Sequence, residues 1–393
     1  MSRLKILFAV HDWGLGHATR DLVLIKALLT AGHCVTVLSA GRALQLLREE
    51  LKRFSTRDNP TVARHYDFIE LQDIPKPLSR RAAWFYIKMS LSLPAVFQTF
   101  RREQRLVEQL SQERGFDRII SDSRYGVSSS HIPSYYLVHS LRQIIPGRPR
   151  HLENMVEFSQ KRLLSKAHKI LIPDEMDNGL AGELCHDIAC DWRNLEYIGI
   201  LSSVTRTVAQ PDIDYFISVS GAEPQRSIFE TIVLQQVAEL KGRVVVALGK
   251  PGLRLPHQAA GVSDDKIRNS HNNTYHNSHS ILDNGRIEIH QYMNRAQQQE
   301  MMNRAHMVIS RSGYTTLMEL AELGKKALLI PTVGQSEQEY LADYHERLGH
   351  MHTVRQSRLS LAKDAAVAAY YQGLPPIRPT QDSVSRFLSA VGC

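Results

Sequence analysis

Two spacings alternate along the chain. Short apolar runs without polar alternation, such as Lys5 to Val10 and Val35 to Leu38, predict strands buried on both faces of a parallel sheet. Between them apolar positions recur at helical spacing, and a helix is predicted from about Gly16 to Thr30, closed by Ala31-Gly32-His33. Further strands are expected at Phe68 to Leu71, Arg118 to Ser121, Ser134 to Val138, Lys169 to Pro173 and Glu196 to Ile200. A second series places strands at Tyr215 to Val219, Arg243 to Leu248, Ile287 to His290, Met307 to Ser310 and Lys326 to Pro331. Its helices are expected at Arg226 to Leu240, Ala296 to Arg304 and after Gly313. Such alternation implies doubly wound α/β domains, whose ligands bind beyond the carboxyl ends of the strands. Polar, proline-containing Ser203 to Pro211 reads as a linker between domains at 1–202 and 212–393, the last helix packing back on the first domain. His257 to Asn284, rich in Asn, Ser and His, reads as an irregular surface loop. It has no rigid element to hold His271, His276 and His279 on a metal.

Composition narrows the picture. A chain of 393 residues, 43% hydrophobic and 22% charged, is that of a folded protein with room for two cores. Four cysteines without a Cys-x-x-Cys pair exclude a disulfide scaffold and a zinc ribbon. No run approaches the roughly 18 apolar residues of a membrane span. The N-terminal run continues into His11-Asp12-Trp13-Gly14, so it reads as a strand rather than a signal peptide, and a cytoplasmic location is expected. The net charge of +8 asks for an anionic partner. Half of that excess sits in residues 79–118, where eight basic residues face four acidic ones among Trp84, Phe85, Tyr86, Phe97 and Phe100. Basic heads beside bulky apolar groups suit peripheral contact with an anionic membrane. A buried helical pair with solvated arginines is the alternative, and Pro94 predicts that no single long helix runs through the segment. Signatures of nucleic-acid binding are lacking, so no nucleic-acid partner is expected.

Candidate chemistry gathers at predicted strand ends. Gly14-Leu15-Gly16-His17 opens the first helix, with Arg20 one turn on. Thr19 stands where a dinucleotide loop needs its third glycine, and Ser39-Ala40-Gly41 occupies the place of the ribose-binding acid. What remains is a glycine turn that presents one imidazole. His17 is the candidate general base, with Asp12 and Asp122 as second choices, and a helix-capping histidine is the other reading. Ser220 to Arg226 repeats the pattern with Gly221 and Arg226. Ser312-Gly313-Tyr314-Thr315 opens another helix and offers N–H groups and hydroxyls to a diphosphate, with Glu319 placed for sugar hydroxyls. Gly334-Gln335-Ser336-Glu337-Gln338-Glu339 adds amides and carboxylates at the neighbouring strand end.

Ser310 to Tyr340 resembles the donor-binding region of GT-B glycosyltransferases of family 28, the group of the lipid-linked N-acetylglucosaminyltransferase of peptidoglycan synthesis. Gly14, Gly16 and His17 are similar to that family's glycine-rich N-terminal loop. The resemblance spans nearly the whole chain and implies a GT-B fold, two Rossmann-like domains facing a central cleft. It also implies transfer of a sugar from a nucleotide sugar, UDP-linked by expectation, to a lipid-linked or saccharide acceptor. On that resemblance Ser312, Gly313 and Thr315 meet the diphosphate, Glu319 the ribose, Gln338 the sugar, Arg226 the nucleotide and Met293 the base. The family's Gln-Gln pair is Gln338-Glu339 here, which leaves the sugar open. Inverting transfer without a metal or other cofactor is expected, helix N-termini offsetting leaving-group charge. A nucleotide-sugar hydrolase with a similar loop is the alternative.

Overall fold

The computed structural model describes residues 3–72, 82–249 and 279–393. The chain divides into two compact units, Met1–Ser203 with Ile377–Cys393, and Val204–Pro376. The first unit is built on seven strands: β1 (Lys5–Ala9), β2 (Cys34–Ser39), β3 (Tyr66–Glu70), β4 (Arg118–Asp122), β5 (Ser134–Leu137), β6 (Lys169–Ile172) and β7 (Leu195–Tyr197). All pair parallel, in the order β3-β2-β1-β4-β5-β6-β7. The order turns outward in both directions from β1 and β4, which makes their carboxyl ends the switch point of the sheet. Helices α1 (Leu15–Thr30), α2 (Gly41–Arg53), α3 (Ala82–Arg114) and α4 (Arg150–Leu163) cover its faces. The continuous runs identified above are central because both faces are covered: Ile6, Leu7, Phe8, Ile119 and Ile120 are wholly buried.

Helix α3 runs unbroken through Pro94, against the expectation of a break. Proline deletes one hydrogen bond, but Pro94 is on the exposed side, where water satisfies the freed carbonyl. Arg80, Arg81 and the His271–His276 stretch lie outside the described residues.

The second unit repeats the plan, with β8 (Ile213–Ser218), β9 (Val244–Ala247), β10 (His279–Leu282), β11 (Ile287–His290), β12 (Ala305–Ser310), β13 (Lys326–Leu329) and β14 (His352–Thr353). The order is β10-β11-β9-β8-β12-β13-β14, parallel except for β10. The end of the expected surface loop is thus an antiparallel edge strand, with His279 stacked on His290 across the ladder. Helices α5 (Gln225–Gln236), α6 (Arg295–Arg304), α7 (Tyr314–Leu323), α8 (Ser336–Arg347) and α9 (Leu361–Ala368) pack around the sheet. The segment expected to link the domains is tied to α6 by Thr205 N–H on Gln299 and Thr207 N–H on Asn303. Helix α10 (Thr380–Val391) belongs to the first unit. There Ser202 N–H donates to Thr380 and Arg118 Nε to the Val391 carbonyl.

Candidate active site

In the first unit the carboxyl ends of β1, β4 and β5 and the first turns of α1 meet at one cluster. Gly14, at φ 108°, caps α1 without a side-chain bond, in a backbone conformation that strains other residues. The helix then presents His17 and Arg20 three residues apart on one face. His17 Nδ1 is 2.7 Å from Asp122 Oδ2, and Arg20 Nη2 is 2.6 Å from Asp122 Oδ1. Arg20 Nη1 also donates to His139 Nδ1 at 3.0 Å. Asp122 and Arg20 are buried, whereas the His17 side chain keeps 17% exposure, so of these three its ring reaches solvent. Burial opposes ionisation of Asp122, but the Arg20 guanidinium outweighs it and holds the carboxyl well below its ordinary value. Burial and the Arg20 charge lower His17 despite Asp122, so the imidazole is neutral at neutral pH. His17 Nδ1 also lies 2.9 Å from Arg20 Nη2; in the tautomer that donates from Nδ1 to Asp122, Nε2 carries the lone pair. The arrangement is that of an oriented general base.

Around this core, His11 packs edge-on to His17 with ring centroids 5.0 Å apart. Asp12 pairs with a second arginine. It accepts from Arg124 Nη1 at 3.2 Å, and Arg124 Nη2 reaches Glu103 of α3 at 2.6 Å. Asp12 thus ties the loop to Arg124, and His17 and Asp122 form a dyad.

In the second unit the ends of β8, β12 and β13 converge. Gly221 follows β8 at φ 115°, and a side chain there would reach Thr332 and Arg311. Ser312 and Gly313 follow β12, and Gly313 caps α7 without a side-chain bond, at a helix N-terminus whose dipole favours an anion. Ser312 Oγ donates to the Gln338 carbonyl at 2.8 Å. Gln338 accepts from Thr332 N–H at 3.0 Å and donates to Gln335 at 2.6 Å. Thr315 and Glu337 stand half-buried in the first turns of α7 and α8. Gly221, Ser312, Gly313, Thr315, Gln335, Glu337 and Gln338 are thus gathered at one sheet edge.

Three other expected donor-side residues lie in the same unit. Arg226 is buried and gives its donors to Glu223, Glu230 and the Leu248 carbonyl. Glu319 pairs with Arg295 of α6. Met293 is buried in the loop after β11.

Sequence reasoning missed Arg311, the clamp of this edge. It lies 4.4 Å over the Phe229 ring and donates to the carbonyls of Ser220, Gln225 and Ile330. Burial lowers it to about 10. A positive residue between an apolar strand and Ser-Gly was its only signal.

The Asp-x-Asp triplet Asp212-Ile213-Asp214 opens β8 at the opposite, amino end of the strand. There Asp212 pairs with Arg243 and Arg304, and Asp214 accepts from Arg243 N–H. In the first unit Asp174, Cys185 and His186 bring three metal-ligand types together. However, Asp174 already accepts the N–H groups of Glu175, Leu180 and Ala181, which makes it the organiser of its loop.

Residues 225–367 match the glycosyltransferase family 28 C-terminal domain, and residues 4–58 match glycosyl transferase family 1. Similar solved structures include the glycotransferase of kitacinnamycin, at TM-score 0.58 and 13% identity, covering 100% of this chain and 96% of that one. The spinosyn rhamnosyltransferase SpnG gives 0.58 and 14%, covering 99% and 96%. Arabidopsis thaliana UGT89C1, complexed with UDP-L-rhamnose, gives 0.53 and 13%, covering 100% and 94%. No curated protein matches the sequence. The two parallel sheets and these neighbours give the chain the GT-B fold, and its second unit carries the match to the glycosyltransferase family 28 C-terminal domain.

Proposed function

We propose that the protein transfers a sugar from a UDP-sugar to an acceptor hydroxyl, with His17 as general base and Asp122 and Arg20 as its positioning partners. The observation that carries the reading is the 2.7 Å contact of His17 Nδ1 with Asp122, which turns a neutral imidazole outward with Nε2 free. His17 takes the acceptor proton, the acceptor oxygen forms a bond to the anomeric carbon, and the bond to the diphosphate breaks. A single displacement of that kind inverts the anomeric centre. The uncapped N-termini at Gly313 and Gln335, with Ser312 and Thr315 beside them, suit the departing diphosphate. They supply the charge stabilisation that a divalent cation would otherwise give, so metal-independent turnover is part of the proposal. UDP as carrier is favoured by the UDP-L-rhamnose complex of a structural neighbour.

The acceptor is proposed to be amphiphilic, lipid-linked or a saccharide, approached from residues 79–118 at an anionic membrane face. Leu91 at 77% and Phe97 at 48% exposure on α3 support this, with Arg101 and Arg105 exposed on the next turns. Among the described residues no helix is long and apolar enough to cross a membrane.

Thermal-shift titration should show stabilisation by UDP and not by NAD or ATP, and turnover of UDP-sugars should persist in chelator. His17→Ala should lower turnover by about 10²–10⁴-fold while UDP still shifts the melting temperature. Full activity in His17→Ala would remove the base, and rapid stoichiometric release of free sugar without acceptor would replace the transferase by a hydrolase.

A further inference from the structure

The side chain beside this dyad is itself unusual. Asp21 sits on α1 one turn after His17 and is wholly buried. Neither of its carboxyl oxygens meets a hydrogen-bond donor among the described residues. The nearest cation, Arg20 Nε, is 3.8 Å from Oδ1, beyond hydrogen-bond reach, and already donates to Asp122 at 3.1 Å. The other group facing it is Asp122, whose oxygens take hydrogens from His17, Arg20 and Ser123. An ionised carboxylate stripped of water and of every donor costs several kcal/mol, and a second anion beside Asp122 costs more. A neutral carboxyl instead has an O–H of its own to give.

We propose that Asp21 is a positioning residue of the His17 centre, a neutral carboxyl that donates its O–H to Asp122 and so holds that carboxylate under the imidazole. The assignment rests on the reading of His17 as base. Burial and the Asp122 charge both push the Asp21 carboxyl well up, in keeping with that geometry. Asp21 touches no reacting atom; it acts through Asp122. With Asp21 neutral, Arg20 and Asp122 cancel, and the knot accepts the transferred proton on His17 without a pre-existing net charge. The His17 ring is also packed by His11 just after β1 and His139 after β5, and Arg124 after β4 acts on His11.

The test compares Asp21→Leu, which keeps the bulk and loses the donor, with Asp21→Asn, whose amide N–H replaces the O–H. Asp21→Leu should lower kcat about tenfold or more, roughly the value of one such hydrogen bond, with KM for the UDP-sugar unchanged. Asp21→Asn should recover most of that loss and keep the acid limb of the pH–rate profile in place. An ionised Asp21 predicts otherwise: removing its charge beside His17 would move that limb to lower pH by about one unit or more. Such a movement, or equal kcat in the two variants, overturns the proposal. Infrared difference spectra of wild type minus Asp21→Asn at neutral pH should show the carbonyl band of a protonated carboxyl, whatever the activity. A missing band overturns the proposal alone, while an active His17→Ala overturns the base and leaves the band. If Asp21→Leu fails to fold, the Asn profile and the infrared band still decide.

Discussion

At the scale of single residues, the proposed base is tuned by its neighbours. Asp122 raises the His17 affinity for protons, whereas burial and Arg20 lower it further than Asp122 restores. Asp122→Asn removes the raising influence, so the acid limb of kcat/KM should move to lower pH. The rate should nevertheless fall by about 10²–10⁴-fold, because the amide no longer holds the proton on Nδ1. A limb that moves to higher pH would contradict the electrostatics. Arg124 offers a purely structural counterpart, fully buried between Asp12 and Glu103. Arg124→Met should cost about 3–5 kcal/mol, since it leaves two buried carboxyls without their cation, and urea titration measures it directly. The place of His17 and Arg20 at a strand end was legible beforehand because a glycine turn follows an apolar run there. Arg124 and Arg311 were not, since a buried arginine and a solvated one look alike in sequence. Their partners at Glu103 and the Gln225 carbonyl are brought to them by the fold.

At the scale of elements, strands were the most readable part of the molecule. Parallel strands covered on both faces are unbroken apolar runs, and β1, β2, β4, β8 and β12 stand within a residue or two of expectation. Helix α4 escaped notice because its buried stripe is interrupted by charged residues that carry internal bonds. Glu157 of α4, for instance, accepts from Cys190 N–H at 2.6 Å and from Arg142 at 3.2 Å. The course of α3 is set by a close approach that no spacing reveals. A Cβ on Gly126 would stand 2.6 Å from both the Cα and the carbonyl oxygen of Phe100, backbone atoms that cannot swing aside. Gly126→Ala should therefore push α3 from the loop after β4 and cost about 1–3 kcal/mol. Hydrogen exchange should rise around residues 97–103 of α3 and stay level in α5 and α7; a silent substitution would show that α3 docks elsewhere.

At the scale of the whole molecule, the two units share a plan but not a chain boundary. The first is closed by the last residues of the sequence, so its stability depends on a helix encoded after the second unit is complete. Helix α10 packs on α1, the carrier of His17 and Arg20, and its Phe387 is wholly buried. Gly199, at φ 88°, admits that helix, because a Cβ there would stand 2.4 Å from Ser383 Oγ. Phe387→Ala should cost about 3–5 kcal/mol through the cavity and lost transfer energy, and the loss should be spent within the first unit. Amide exchange should quicken in β1, β2 and α1 while α5, α7 and α8 keep their protection, and UDP should still stabilise the second unit. Turnover should then fall with temperature before UDP binding does, because the proposed base resides on the weakened unit and the proposed diphosphate contacts do not. Uniform loss of protection in both units would instead mean that they unfold as one cooperative body, and α10 would be a clasp for the whole chain.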